Sequence, residues 1–264
     1  MVKNQIQISY DEKYKRSYHY SRLLTILIIV GCVFALAFMW KSKQRLQTIS
    51  VVGLKTLTEQ EILEKVGLEK DEHPYLRDLQ LVDIRQKIKE HPFVRSANVT
   101  HSENGKITIA IEERLPVAAL KSSGGELKYI DRDGVVLPYR LFSVVSDVPV
   151  VYGIESNGKI DTAILANLVN VLKVLQDTQN GDLYQAMSEV FYEQKKNVFF
   201  LSSTESGISI CVGKPNDLQE KFENLFRYWT KELPKVEKKS IEYIDLQWAG
   251  QLVIKKKNSR NVNG

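Results

Sequence analysis

The sequence predicts an α+β protein: one N-terminal transmembrane helix, a small β-α-α-β-β domain, and a mixed α+β domain ending in an edge strand. Three observations carry that prediction. Leu23 to Trp40 runs for eighteen residues without a charge. Strand and helix periodicities follow the order β-α-α-β-β between Ile49 and Glu113, and from Pro116 onward short strands surround two helical stretches. With 264 residues and 43% hydrophobic content, the chain can fill one large or two small cores.

The uncharged run, LLTILIIVGCVFALAFMW, is interrupted only by Thr25 and Gly31. At about 1.5 Å per residue it reaches about 27 Å, close to a hydrocarbon core of roughly 30 Å, with Trp40 at the interface. Ala35-Leu36-Ala37 has the small-x-small form of a signal-peptidase site. The apolar run continues past it through Trp40, and the leader before Leu23 is long and polar, so an uncleaved anchor fits better. Lys3, Lys13, Lys15, Arg16 and Arg22 precede the span, while Lys41, Lys43 and Arg45 follow it, which favours a cytoplasmic N-terminus by a narrow margin. Everything beyond residue 40 reads as folded-domain material without a second span, which places the bulk of the chain outside the cytoplasmic membrane.

After a short basic stalk, ISVVGLKTLTEQEILEKVGL gives a strand at Ile49 to Val52, a turn at Gly53 and a helix capped by Thr58. Glu61 completes a capping box, Ile62, Leu63 and Val66 form the apolar face, and Gly67 stops the helix. A second helix from Leu79 to Lys89 aligns Leu81, Ile84 and Ile88 before His91-Pro92 ends it. FVRSANVT and KITIAIEE alternate as strands joined at Asn104-Gly105. Two helices on one face of a three-stranded sheet make a self-standing domain.

In EERLPVA, Arg114 can pair locally and Pro116 breaks the ladder and stiffens a junction. YIDRDGVVLPY then sets Asp131 and Asp133 beside Gly134, but the apolar Val135 to Pro138 offer no ligands for calcium. Asp133-Gly134 between apolar runs predicts a type I′ hairpin turn. On that basis, Asp131→Ala with Asp133→Asn is expected to leave function and metal content nearly unchanged. Further strands are expected at Val148 to Tyr152, Glu189 to Tyr192, Val198 to Leu201 and Ile208 to Val212, with a helix over Asp161 to Gln176. An amphipathic helix over Asn216 to Glu232 turns Leu218, Phe222, Leu225, Phe226 and Trp229 inward, and strands at Glu242 to Leu246 and Leu252 to Lys255 close the fold.

The formal charge of +5 is unevenly spread: residues 1–22 carry +3 and residues 250–264 carry +4, leaving −2 between them. A nearly neutral middle lacks the field that tracks a phosphate backbone, so no nucleic acid is expected as a partner. The terminal lysines read as a solvated tail or as a contact for anionic lipid or an acidic partner.

A search for chemistry returns near misses. In GISICVGKP the glycines are six apart where a phosphate loop needs five, and Pro215 stands where Ser or Thr would meet magnesium. Pro215 is expected instead at the first position of the following helix. His19, His73, His91 and His101 lack zinc spacing. Cys211, in mid-strand, reads as a buried inert thiol, and Cys32 in the span leaves it no disulfide partner. Glu112 and Glu113 point to opposite strand faces and read as a charged strand end rather than an acid pair. No enzyme activity, catalytic residue, metal, cofactor or small-molecule substrate is expected.

The ordered series of a single span, β-α-α-β-β, EERLPVA, YIDRDGVVLP and the closing YIDLQWAGQLVIK resembles the bacterial cell-division family FtsQ, called DivIB in Gram-positive bacteria. The resemblance covers nearly the whole chain. It implies a POTRA domain over residues 41–115 and a β domain over 116–257, between a cytoplasmic tail (1–22), a membrane helix (23–40) and a flexible C-terminal tail (258–264). It also implies a divisome scaffold in the inner membrane, enriched at the septum, whose last strands bind FtsB-like and FtsL-like proteins (DivIC and FtsL). Tyr243, Asp245, Gln247, Trp248, Gln251 and Leu252 are the expected partner-binding residues, Arg114 and Pro116 the junction, and Asp133 and Gly134 the turn. Gln247 departs from the arginine that many relatives carry there, so one charge contact is weaker or relocated.

A late strand at a sheet edge offers unpaired N–H and C=O groups for strand addition, and Tyr243 and Trp248 are candidate aromatic anchors. Tyr243, Ile244 and Leu246 also read as core and edge packing, and for Ile244 and Leu246 that is the stronger reading. Two other functions fit the sequence less well. A POTRA protein of outer-membrane assembly or secretion normally continues into a long barrel, and an envelope hydrolase needs a convergent catalytic set.

Overall fold

The computed structural model describes residues 22–40, 44–69, 72–102, 104–142, 147–156, 158–205 and 207–257. The expected cytoplasmic tail, except Arg22, and the expected C-terminal tail lie outside the described residues, as does His19. Helix α1 spans Arg22–Trp40, is long and apolar enough to cross a membrane, and buries none of its apolar surface against the protein.

The remainder divides into two compact units. The first takes residues up to Leu54 together with Thr58–Glu90 and Ser96–Ile111, and the second takes Lys55–Leu57, His91–Arg95 and Glu112 onward. The first contains, apart from Val94–Arg95 and Glu112–Glu113, which fall in the second, a sheet of strands β1 (Thr48–Val52), β2 (Val94–His101) and β3 (Lys106–Glu113) ordered β1-β3-β2, with β1 parallel to β3. Helices α2 (Glu59–Val66) and α3 (Leu81–Lys89) supply Ile62, Leu63, Val66, Ile84 and Ile88 to the core, which Ile49, Ile107 and Ile109 complete from the sheet. Complete burial stabilises each such side chain by about 1.5–3 kcal/mol.

Thr58 caps α2, its hydroxyl accepting from the Glu61 N–H at 3.2 Å, and Gly67 ends it at φ +74°. The second helix starts two residues later than the periodicity suggests, because Leu76–Asp78 wind into a 3-10 turn that leaves Leu79 extended. Gly53 admits no side chain: a Cβ there would lie 2.0 Å from the Ile111 carbonyl oxygen.

In the second unit, nine strands make one sheet. In chain order they are β4 (Pro116–Lys121), β5 (Leu127–Asp131), β6 (Val136–Pro138), β7 (Val150–Tyr152), β10 (Met187–Glu193), β11 (Val198–Ser203), β12 (Ser209–Gly213), β13 (Ile241–Asp245) and β14 (Val253–Lys256). The two-residue β8 (Glu155–Ser156) and β9 (Lys159–Ile160) pair separately. Across the large sheet the order is β14-β13-β12-β11-β10-β7-β4-β5-β6. Its register is continuous: Leu120, Val151, Val190, Leu201, Ile210, Ile244 and Ile254 stand side by side. Alternation sends this row into the core.

Helices α4 (Thr162–Asp177) and α6 (Leu218–Lys231) join that core through Leu168, Val171, Leu172, Leu175, Phe222 and Leu225, with a short α5 (Asp182–Gln185) beside them. Asp161 caps α4, its carboxylate accepting from the Ala163 and Ile164 N–H groups. Phe226 and Trp229 are half-buried against the same core.

Three local expectations are corrected. The turn after β5 is not type I′: Gly134 is at φ +81°, whereas Asp133 is not left-handed. The Gly134 N–H donates to the Asp131 carbonyl and the Asp131 N–H to the Val135 carbonyl, which encloses Arg132, Asp133 and Gly134 as a three-residue loop with glycine at the left-handed position. Pro116 is not linker but the first residue of β4, where a missing N–H is tolerated. Pro215 does not open α6, which begins at Leu218 after Asp217 at φ +50°. The cause is Lys221, one turn into the helix. Its buried ammonium donates to the Val212 and Lys214 carbonyls and the Asn216 side chain, and so folds the preceding loop around itself.

Candidate functional site

The end of the sheet is built by its last two strands. β13, which carries the expected partner-binding residues Tyr243 and Asp245, is not an edge strand, because β14 pairs along it from Asp245↔Val253 to Ile241↔Lys256. Among the described residues, the outer strand at this end of the sheet is β14. The Lys257 N–H donates inward to the Ser240 carbonyl at 2.8 Å. Counting back by alternation, the backbone groups of Lys255 and Val253 also face β13, and those of Ile254 and Lys256 face outward.

Between the strands lies a tight loop. The Asp245 carboxylate accepts from the Gln247 N–H at 2.9 Å, and the Gln251 N–H donates to the Trp248 carbonyl at 3.1 Å, with Gly250 left-handed at φ +67°. Asp245 and Gln251 therefore shape this loop, and neither lies in the edge strand. The loop displays Trp248, which is 61% exposed, while Leu252 and Ile254 are half-buried against the core. Tyr243 lies under Lys255, whose Nζ is 5.3 Å from the ring centroid and donates to Glu242 at 3.0 Å. That hydrogen bond and the Glu242 charge hold the Lys255 pKa above the usual lysine range.

Gln247 turns back onto the sheet. Its amide donates to the Cys211 sulfur at 2.8 Å, and its Cγ occupies the space that a Cβ on Gly213 would need. Cys211 is thereby buried, and burial first, then the Asp245 charge, push its thiol pKa up, away from reactivity. Burial also lowers the Lys221 pKa.

At the other end of the sheet, Arg114 of the expected junction and Asp133 of the expected turn join Arg95, Glu112 and Asp131 in one ionic cluster within the second unit. Arg114 Nη1 donates to Asp131 at 2.6 Å and to Asp133 at 3.3 Å, and Arg95 bridges Glu112 at 3.0 Å and Asp133 at 2.9 Å. Asp131 is more than a turn residue, because its other oxygen accepts from the Asp133 and Val135 N–H groups at 2.9 and 2.7 Å. Glu113 is likewise more than a charged strand end. Its buried carboxylate accepts from the Lys55, Thr56 and Leu57 N–H groups and the Thr56 hydroxyl. Pro116 stands opposite Asp131 in the register.

This order of elements has known counterparts. Residues 44–114 match the family model described as "POTRA domain, FtsQ-type", and residues 115–254 match "FtsQ/DivIB, C-terminal related". The chain belongs to the FtsQ/DivIB family. It is 27% identical over 245 residues to the cell division protein FtsQ of Rhodothermus marinus, covering 89% of this chain and 87% of that protein. The FtsQ of Geotalea daltonii is 27% identical over 216 residues, covering 80% and 76% of the two chains. That of an Anaeromyxobacter species is 28% identical over 193 residues, covering 71% and 63%. The FtsQ family is a membrane-anchored cell-division family, and α1 suits that anchoring.

Proposed function

We propose that this FtsQ-family chain is a non-catalytic scaffold that gathers division proteins and holds them at the septum. Its domains are taken as 41–115 (POTRA) and 116–257 (β), outside the cytoplasmic membrane, with residues 1–22 in the cytoplasm and residues 23–40 in the bilayer. FtsB-like and FtsL-like proteins (DivIC and FtsL) are the partners. One partner segment adds as a further strand along β14.

The outer position of β14, which alternation makes present the Ile254 and Lys256 backbone groups outward, together with Trp248 exposed in the loop before it, supports this reading. Trp248 is the aromatic anchor, and Leu252 and Tyr243 brace the strand beneath it. Asp245, Gln247 and Gln251 fix the loop that presents the anchor.

The test is capture of purified FtsB-like and FtsL-like proteins by the full chain in nanodiscs. Lys256→Pro removes one outward donor and spares the ladder to β13. Trp248→Ala should weaken capture by about 1–3 kcal/mol. Unchanged capture by folded Lys256→Pro and Trp248→Ala proteins would overturn the strand-addition mechanism.

A further inference from the structure

The sheet has a second face, turned away from α4 and α6, that the terminal edge does not use. Two grooves cross it. One, of about 680 Å³, is lined by Leu127, Val150, Tyr152, Glu155 and Glu189, with Lys121 at its side. The next, of about 350 Å³, is lined by Tyr152, Glu189, Phe191, Glu193 and Phe200. Because they share Tyr152 and Glu189, they form one trough.

Its floor follows from the register. Tyr152, Phe191 and Phe200 stand side by side on β7, β10 and β11, offset by one residue from Val151, Val190 and Leu201, and so face the opposite way. Ring centroids are 5.8 Å apart for the first pair and 6.4 Å for the second, and Phe191 stays 40% exposed. Aromatic rings in a row on the open side contribute little to the core and leave an apolar patch in water.

Carboxylates dominate the rim. Glu155 accepts from the Ser123 N–H and from the Ser122 and Ser123 hydroxyls at 2.9–3.0 Å, contacts that favour its ionised form. Glu189 faces the same space, as does Glu193, which also meets the exposed Lys196 at 3.1 Å. Lys121 is the cation among the lining residues of the larger groove.

From this juxtaposition we infer that the trough is a second docking surface, and that it takes a segment of a partner protein in which lysine or arginine alternates with apolar side chains. The cations pair with Glu189 and Glu193 and ride over the rings, where attraction extends to about 6 Å from a centroid. The apolar side chains fill the trough between them. The same rim repels nucleic acid and anionic lipid.

Fluorescence anisotropy with the full chain in phosphatidylcholine nanodiscs tests this. The probe is a short labelled peptide alternating lysine and arginine with leucine and phenylalanine, and its twin carries glutamate in place of each cation. Saturable binding of the cationic peptide is expected, with the twin inert. Phe191→Ser and Glu189→Lys, both outside the core, should each weaken binding by about tenfold or more. Raising salt from about 50 to about 500 mM should weaken it as well. Trp248→Ala should leave it unchanged, which separates this face from the terminal edge. The inference is overturned if the cationic peptide fails to bind, if the twin binds equally, or if both face variants keep wild-type affinity.

Discussion

Replacing Asp131 separates a turn residue from a structural one. Its side chain is 4% exposed and meets three donors: Arg114 at 2.6 Å, the Val135 N–H at 2.7 Å and the Asp133 N–H at 2.9 Å. Alanine strands two N–H groups and a guanidinium that is itself only 20% exposed. Arg114 keeps Asp133 at 3.3 Å, which softens the loss. Hydrogen bonds to charged groups are worth about 1.5–3 kcal/mol each and overlap within one cluster, so Asp131→Ala should cost about 3 kcal/mol. In a unit of this size that lowers Tm by about 6–12 °C. Asp131→Asn keeps an acceptor for the two N–H groups but loses the anion, and should cost about half as much. Thermal unfolding of the full chain in detergent micelles, followed by circular dichroism, reads both. A double-mutant cycle with Arg114→Met should give a coupling of about 1–3 kcal/mol. A Tm within about 2 °C of wild type for Asp131→Ala, or a coupling near zero, would refute the reasoning.

Other perturbations follow the same logic. Glu113→Ala should destabilise by about 3 kcal/mol, because four donors from Lys55 to Leu57 lose one carboxylate; urea unfolding measures it. Asp161→Ala removes the α4 cap and should cost about 1 kcal/mol, read from the same urea midpoint. Lys221→Met leaves the buried Val212 carbonyl without its charged donor and should cost about 1–3 kcal/mol in urea. Burial lowers the Lys221 pKa, so the penalty of holding it charged is present at neutral pH and fades as pH rises toward the unfolded lysine value. Stability from this group therefore increases across that alkaline window, and the urea midpoint of wild type should rise there relative to that of Lys221→Met. Gly53→Ala should disrupt the first unit, since its Cβ meets the Ile111 carbonyl; loss of native proteolytic resistance is the readout.

Much of the fold could be read from local signals. Thr58 and Asp161 cap helices because their oxygens sit where orphan N–H groups need them, and Ile62, Leu63, Ile84 and Ile88 recur at helical spacing because one face is buried. Tertiary decisions were hidden. Nothing local shows that β14 would cover β13, which moves the free edge past Leu252. Lys221 did leave a trace: it occupies an inward position between Leu218 and Leu225, where a cation is out of place unless something receives it. Glu113 falls in a strict strand alternation on the side of Ile109 and Ile111, the same kind of misplaced charge. The ionic cluster of Arg95, Arg114, Asp131 and Asp133 joins residues up to 38 apart in sequence, a separation that periodicity cannot bridge.

The strand order of the nine-stranded sheet has a mechanical consequence. Arg114 and Asp131 sit at the β4-β5 end, and the outward groups of β14 at the other. With neighbouring strands about 4.8 Å apart, the two ends are separated by roughly 30 Å, well beyond the screening length of salt water. A charge altered at one end is not felt electrostatically at the other. What can pass between them is tension, and it runs across the strands, pulling ladder rungs open in succession rather than shearing them together. The narrowest joint on that path is β4 against β7, held by the pairs Ala119↔Val150 and Leu120↔Val151.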